Sequence, residues 1–261
     1  MQSLRDSLMR IGALAAMELR RLRADPGQCY VLIVLPLIMV LAITPMALAV
    51  LRLHGFPNAT GAEQSVPGMA ALFSFMSVIL LGGSFFKERE WHTWDRLRAS
   101  PALPLEIVAG KCLPVFAVSL LQLAAIWGVG LVFYKLRVHG PLLAIVVITV
   151  CLSWATLGVG MALVSLCRTI DQLGIIANMG SLILGGLSGA FVPLSPHTIW
   201  GNLARFSPPY WAVHAYQQVI FSGSGIGEVI PQCLSLLALG VIGFLVAAAK
   251  FGAADLKFGA S

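Results

Sequence analysis

An all-α membrane protein with six spanning helices is the fold class this sequence predicts, and three observations predict it. Of 261 residues, 58% are hydrophobic and 11% charged, where a soluble domain carries roughly 25% charged residues. Six apolar stretches meet the length of about 20 residues that a helix needs to cross a bilayer. The 17 Lys and Arg residues gather on alternate sides of those stretches, as in a positive-inside protein. These features exclude a disordered chain, which needs low hydrophobicity and high charge. They also exclude a soluble globular one, which would lack the polar groups to cover its surface. Long uninterrupted apolar runs specify helices, because barrel strands alternate and are shorter.

Taken in order, residues 1–25 read as an amphipathic helix. Leu4, Leu8, Ile11, Ala15, Leu19 and Leu22 recur at spacings of three and four, with Arg5, Arg10, Arg20, Arg21 and Arg23 around them. Such a helix suits the inner interface, its arginines near the phosphates of membrane lipid. Asp25-Pro26-Gly27 ends it. The spans are expected at 29–51, 66–86, 107–134, 141–166, 170–192 and 229–249. Pro36 and Pro45 predict a kink in span one. Five glycines (174, 180, 185, 186 and 189) make span five the one expected to bend or break. Gly185 and Gly189 form G-x-x-x-G, and Gly158 and Ala162 share that spacing, which favours close helix packing. Ala47-Leu48-Ala49 mimics a cleavage site, but the apolar run before it is too long for a signal peptide.

With both ends of the chain inside, thirteen basic residues lie on the inner side. Arg52, Lys135, Arg137 and Arg205 lie outside. The net charge of +6 is thus a matter of membrane sidedness, and nucleic acid is not an expected partner. The expected location is an inner or plasma membrane.

Two segments outside the spans stand out. In 87–104, Trp91, Trp94 and Leu97 share one helical face, with the stem of Arg98, before Ser100-Pro101 and Pro104 stop the helix. Two readings are open: a helix lying flat among headgroups, or a plug for a groove on a soluble partner. The outer segment 193–228 carries many apolar and aromatic residues, broken by Pro208-Pro209. Two short helices dipping partway into the outer leaflet would suit it.

Other chemistry is missing. The spans lack the central ionisable groups of proton relays and voltage sensors. All five histidines fall in loops, with no H-E-x-x-H. The five scattered cysteines form no C-x-x-C pair, so neither a metal site nor a disulfide framework is expected. Gly110-Lys111 is followed by Cys112 and lacks the remainder of a Walker A loop. The chain is therefore not expected to be an enzyme, and uphill work would need energy from another chain.

Three segments resemble the membrane subunit of ABC-2-type exporters, the family of drug-resistance, antibiotic-export, polysaccharide and teichoic-acid permeases. Glu18-Leu19-Arg20-Arg21 through Asp25-Pro26 resembles its interfacial helix. Glu88-Arg89-Glu90 through Leu97, Ser100-Pro101 and Gly110-Lys111 resembles its E-R-E-x-G-T-x-x-x-L-x-x-S-P…G-K signature, with His92 in place of glycine. Gly185 through Phe191-Val192-Pro193 and Ser207-Pro208-Pro209-Tyr210-Trp211 resembles the segment before the last span. The resemblance implies a pore of two six-span subunits, the second a copy of this chain or a paralogous permease. It also implies two ATP-binding subunits that hold ATP and Mg, with no cofactor on this chain. Glu88, Arg89, Trp91, Trp94, Arg96, Leu97 and Arg98 would form the coupling contact, Arg168 and Asp171 a smaller one. Spans one, two and five would line the subunit interface, and 193–228 would be outer re-entrant helices.

For cargo, the short outer segment 52–65 disfavours members with large external domains. Met39, Met46, Phe73, Phe75, Met76 and Phe191 are candidates for a path wall suited to hydrophobic or amphiphilic cargo. A drug, natural product or lipid is expected. The alternatives are a polysaccharide or glycolipid exporter of the same architecture, then a non-transport scaffold or enzyme.

Overall fold

The computed structural model describes residues 2–53, 55, 58–91, 102–190 and 207–254. Its described residues form nine helices: α1 (Gln2–Ala24), α2 (Gly27–Leu53), α3 (Ala62–Ser74), α4 (Ser77–Glu90), α5 (Pro104–Val132), α6 (Leu142–Leu166), α7 (Ile170–Leu187), α8 (Pro208–Ser222) and α9 (Ile226–Ala254). Six spans are long and apolar enough to cross a membrane: α2, α3 with α4, α5, α6, α7 and α9. The fold is all-α, and the six spans are those the sequence predicts. One end of the bundle carries Arg10, Arg21, Lys87, Lys111 and Arg168; it is called the basic end below, and the opposite one the far end.

Local chemistry sets the boundaries. α5 starts three residues before the expected position because Pro104 at its first turn needs no hydrogen-bond acceptor. The Glu106 carboxylate then accepts the Leu103 N–H at 2.9 Å. At the start of α7, Thr169 Oγ1 accepts from Gln172 N at 3.2 Å, while Gln172 Oε1 accepts from Arg168 N at 3.0 Å. α7 stops at Leu187 rather than near 192, and Gly189 turns the chain at φ 81, a conformation costly for other residues.

The helix assignments also locate the breaks. α2 runs as one helix through Pro36 and Pro45, and α7 runs unbroken to Leu187, with the expected span ending at the Gly189 turn. The interrupted span is the second, at Phe75-Met76. Here the Ser74 hydroxyl donates to Ala71 O at 2.8 Å and Ser77 to Ser74 O at 2.7 Å. Hydroxyls bonded back to the chain's own carbonyls compete with the helical ladder.

Packing gives span two the centre. All thirteen residues of α3 are buried. Around it, the far-end core holds Ile126, Leu152 and Tyr216, and the basic-end core holds Leu81, Phe85, Met161 and Leu173. α6 and α9 touch backbone to backbone: a Cβ on Gly158 would lie 2.1 Å from Gly240 O. Gly185 is pressed against Leu72. Gly158 and Gly185, one residue of each motif, are thus used within the chain. α8 has 15 residues, about 22 Å of helix, short of the roughly 30 Å hydrocarbon layer. Its Tyr216 is buried, the hydroxyl 2.9 Å from Thr149 Oγ1 and the ring 4.9 Å from that of Trp127. The rest of the expected outer pair, 193–206, lies outside the described residues.

Candidate coupling site at the basic end

α4 carries the start of segment 87–104, and α5 and α1 hold it. Lys111 on α5 is 1% exposed. Its Nζ lies 2.6 Å from Glu88 Oε1 and donates to Ser84 O at 2.8 Å, both on α4. It also sits 5.2 Å from the centre of the Phe85 ring, a favourable place for a cation in a dry site. A lysine here would be costly without such partners.

α1 enters the same cluster. Arg21 pairs with Glu18 at 2.8 Å and donates to Gly83 O at 3.0 Å. Glu18 is itself 1% exposed. Burial raises its pKa above the ordinary carboxylate range, against the opposing pull of Arg21, Lys111 and the Ser84 hydroxyl. Nearby, Lys87 lies 3.4 Å from Asp25, and Arg10 lies 3.5 Å from Glu106. Gly110 lets α1 seat on α5: a Cβ there would be 2.5 Å from Leu14 Cβ. The apolar stripe of α1 is consequently divided. Leu22 is buried against the protein, while Leu8 and Leu19 remain exposed on its other flank.

The expected coupling residues fall into two places. Glu88 is in the buried cluster; Trp91, 60% exposed, projects from the end of α4. Arg89 lies in α4, with its side chain outside the described residues, as are Trp94, Arg96, Leu97 and Arg98. Arg168 and Asp171 are exposed at the α6–α7 turn, on this same end of the bundle. The candidate path residues do not share one surface. Phe73 and Phe75 are buried in the chain, Met39 and Met76 are partly buried, and Met46 is exposed. Phe191 lies outside the described residues.

Sequence reasoning missed Glu18 as a buried group, together with Gln64, Gln122 and Ser181 inside the spans. For Glu18 a signal existed: it stands four residues from both Leu14 and Leu22, on the face an amphipathic helix buries. An acid there requires a cation opposite.

A family model, ABC-2 type transporter, matches residues 9–221, and the chain belongs to that family. It is similar to the inner membrane transport permease YhhJ of Escherichia coli K12, 28% identical over 184 residues, covering 68% of this chain and 48% of the relative. It is also similar to the probable multidrug ABC transporter permease YbhR of the same strain, 29% identical, covering 67% and 48%. The linearmycin resistance permease protein LnrN of Bacillus subtilis 168 is 24% identical, covering 70% and 49%. The chain spans about half the length of the curated relatives it matches.

Proposed function

We propose that this chain is the permease subunit of an ATP-driven exporter that moves a drug, natural product or lipid out of the cytoplasm or inner leaflet. The basic end then faces the cytoplasm, with both ends of the chain on that side of an inner or plasma membrane. ATP and Mg bind a separate subunit, two copies of which serve two permeases, the second identical or paralogous. α8 belongs to the outer re-entrant structure closing the exit.

The observation that carries this reading is the anchored root of segment 87–104. Lys111 of α5 grips α4 at Glu88 and Ser84, one turn before exposed Trp91, and Arg21 of α1 grips it at Gly83. A partner pressing on the segment would move three helices together rather than bend a loose loop. The names of YbhR and LnrN favour drug-like cargo over polysaccharide.

The test is a mild-detergent pull-down from the native membrane, followed by reconstitution of the complex into liposomes. We expect a stoichiometric soluble subunit with a Walker A sequence and ATP-dependent efflux of amphiphilic cargo. Replacing Trp91 and Trp94 with alanine should leave ATP hydrolysis running while efflux falls. Efflux at the unchanged rate would remove the coupling role, and absence of a nucleotide-binding partner would overturn the exporter reading.

A further inference from the structure

Span two is broken inside the bundle with no proline or glycine between Met69 and Leu81 to force it. Across the break, the amide bonds step back three residues instead of four. Met76 N reaches Phe73 O at 3.1 Å, Val78 N reaches Phe75 O at 3.2 Å, and Ile79 N reaches Met76 O at 3.1 Å. Short three-residue steps within a helix mark hinges or strain. This step takes Met76 N, the usual donor to Leu72 O, to Phe73 O instead, and in a bilayer the released carbonyl must find another donor.

The donors come from two other spans. Gln122 of α5 gives Nε2 to Phe73 O at 3.0 Å, and Ser181 of α7 gives its hydroxyl to Leu72 O at 2.7 Å. Both side chains are buried. Gln122 Oε1 is also buried and takes no hydrogen bond among the described residues. Such an orphan calls for a reason; it belongs to the side chain whose amide donates to Phe73 O at the break.

The two halves are tied to different ends of the molecule. On α3, Gln64 donates to Gly189 O just beyond α7 and accepts from Gln217 of α8 at 2.8 Å. Ser65 lies 2.8 Å from Thr44 of α2. Gly68 lies so close to Ala190 O that a Cβ would come within 2.1 Å. On α4, Glu88 and Ser84 are held by Lys111, and Gly83 by Arg21. One half thus belongs to the far end and the other to the candidate coupling site.

We propose that Ser74–Met76 is a hinge through which motion of the coupling site reaches the far end. Gln122 and Ser181 are its positioning residues: Ser181 holds the released Leu72 O, and Gln122 gives Phe73 O a second donor that can hold it when Met76 N moves away. The proposal rests on the transport reading above. A Gln side chain has the reach to follow its carbonyl as the hinge moves, and Ser181 ties the pivot to α7.

The test uses the complete complex with its ATP-binding subunits in lipid nanodiscs and liposomes. In wild type, amide hydrogen exchange at residues 72–79 should change several-fold between the nucleotide-free and ATP–vanadate-trapped states, while 64–70 and 80–86 stay level. Gln122→Leu and Ser181→Ala should each lower cargo moved per ATP hydrolysed by about ten-fold, the effect of losing one buried hydrogen bond from the moving state. Ser181→Thr should restore the ratio. A purely structural role would reduce the amount of folded complex and scale both rates together, leaving the ratio unchanged. A wild-type complex that transports but shows equal exchange in both states overturns the hinge alone, as does an unchanged ratio in both variants. A complex without ATP-dependent efflux overturns the transport reading and the hinge with it.

Discussion

Lys111 and Glu88 meet at 2.6 Å with almost no solvent around them. Removing a charge from water costs several kcal/mol, and a buried pair only offsets that cost when both partners remain. Lys111→Met should therefore destabilise the protein by roughly 3–5 kcal/mol through the stranded carboxylate. Lys111→Met with Glu88→Leu should recover much of the loss, as thermal unfolding of the detergent-solubilised protein would report. Glu18 makes a pH prediction. Its folded-state pKa is raised by burial, so the folded state binds its proton more tightly than the unfolded chain. The stability this proton confers is full at low pH and is lost as pH rises above the ordinary carboxylate range. Glu18→Gln should flatten that part of a melting-temperature profile; an unchanged slope would assign the pH dependence to another group. Both acids were visible as letters in the sequence. The spacing from Leu14 and Leu22 hinted at the burial of Glu18, but which cations face the two acids depends on how α1 and α5 pack beside α4.

Among elements, the α6–α9 pair is the most constrained. Gly158 and Gly243 leave no room for a methyl group against the facing backbone. Overpacking of this kind costs about 1–3 kcal/mol where side chains can adjust, and here the obstacle is a carbonyl. Gly158→Ala should lower the unfolding midpoint more than Gly174→Ala, since Gly174 has open space around its Cβ position. Equal midpoints would show that α9 shifts freely. The helical spans were legible from hydropathy alone, because every backbone group in lipid must be bonded internally. The break in span two was not. Prolines and glycines drew attention to spans one and five, whereas the interruption depends on donors from Gln122 and Ser181, 49 and 109 residues away.

Across the whole molecule, span two is enclosed while α2 and α7 keep broad apolar faces open. Tyr30, Val34, Ile38 and Leu41 are exposed on α2, and Ile175, Met179, Leu182 and Ile183 on α7. Of the three spans expected at a subunit interface, these two keep open faces, while α9 also exposes Leu234, Ile242 and Leu245. In a variant lacking the native cysteines, Met179→Cys should cross-link to a second copy in native membranes, and Leu234→Cys on α9 should not. Cross-linking at Leu234 alone would move the interface to α9. If the second permease is a paralogue, Met179→Cys should instead cross-link to a cysteine on that chain.

The sequence by itself determined the class, the number of spans and the basic end, since each follows from local composition acting against a bilayer. The three segments that resemble ABC-2-type permeases also pointed to the family before any helix was placed. Only the tertiary structure decided which charges are buried together, which span is central and where it breaks. Those outcomes depend on contacts between residues distant in the chain, and hydropathy and spacing carry no information about which helix faces which.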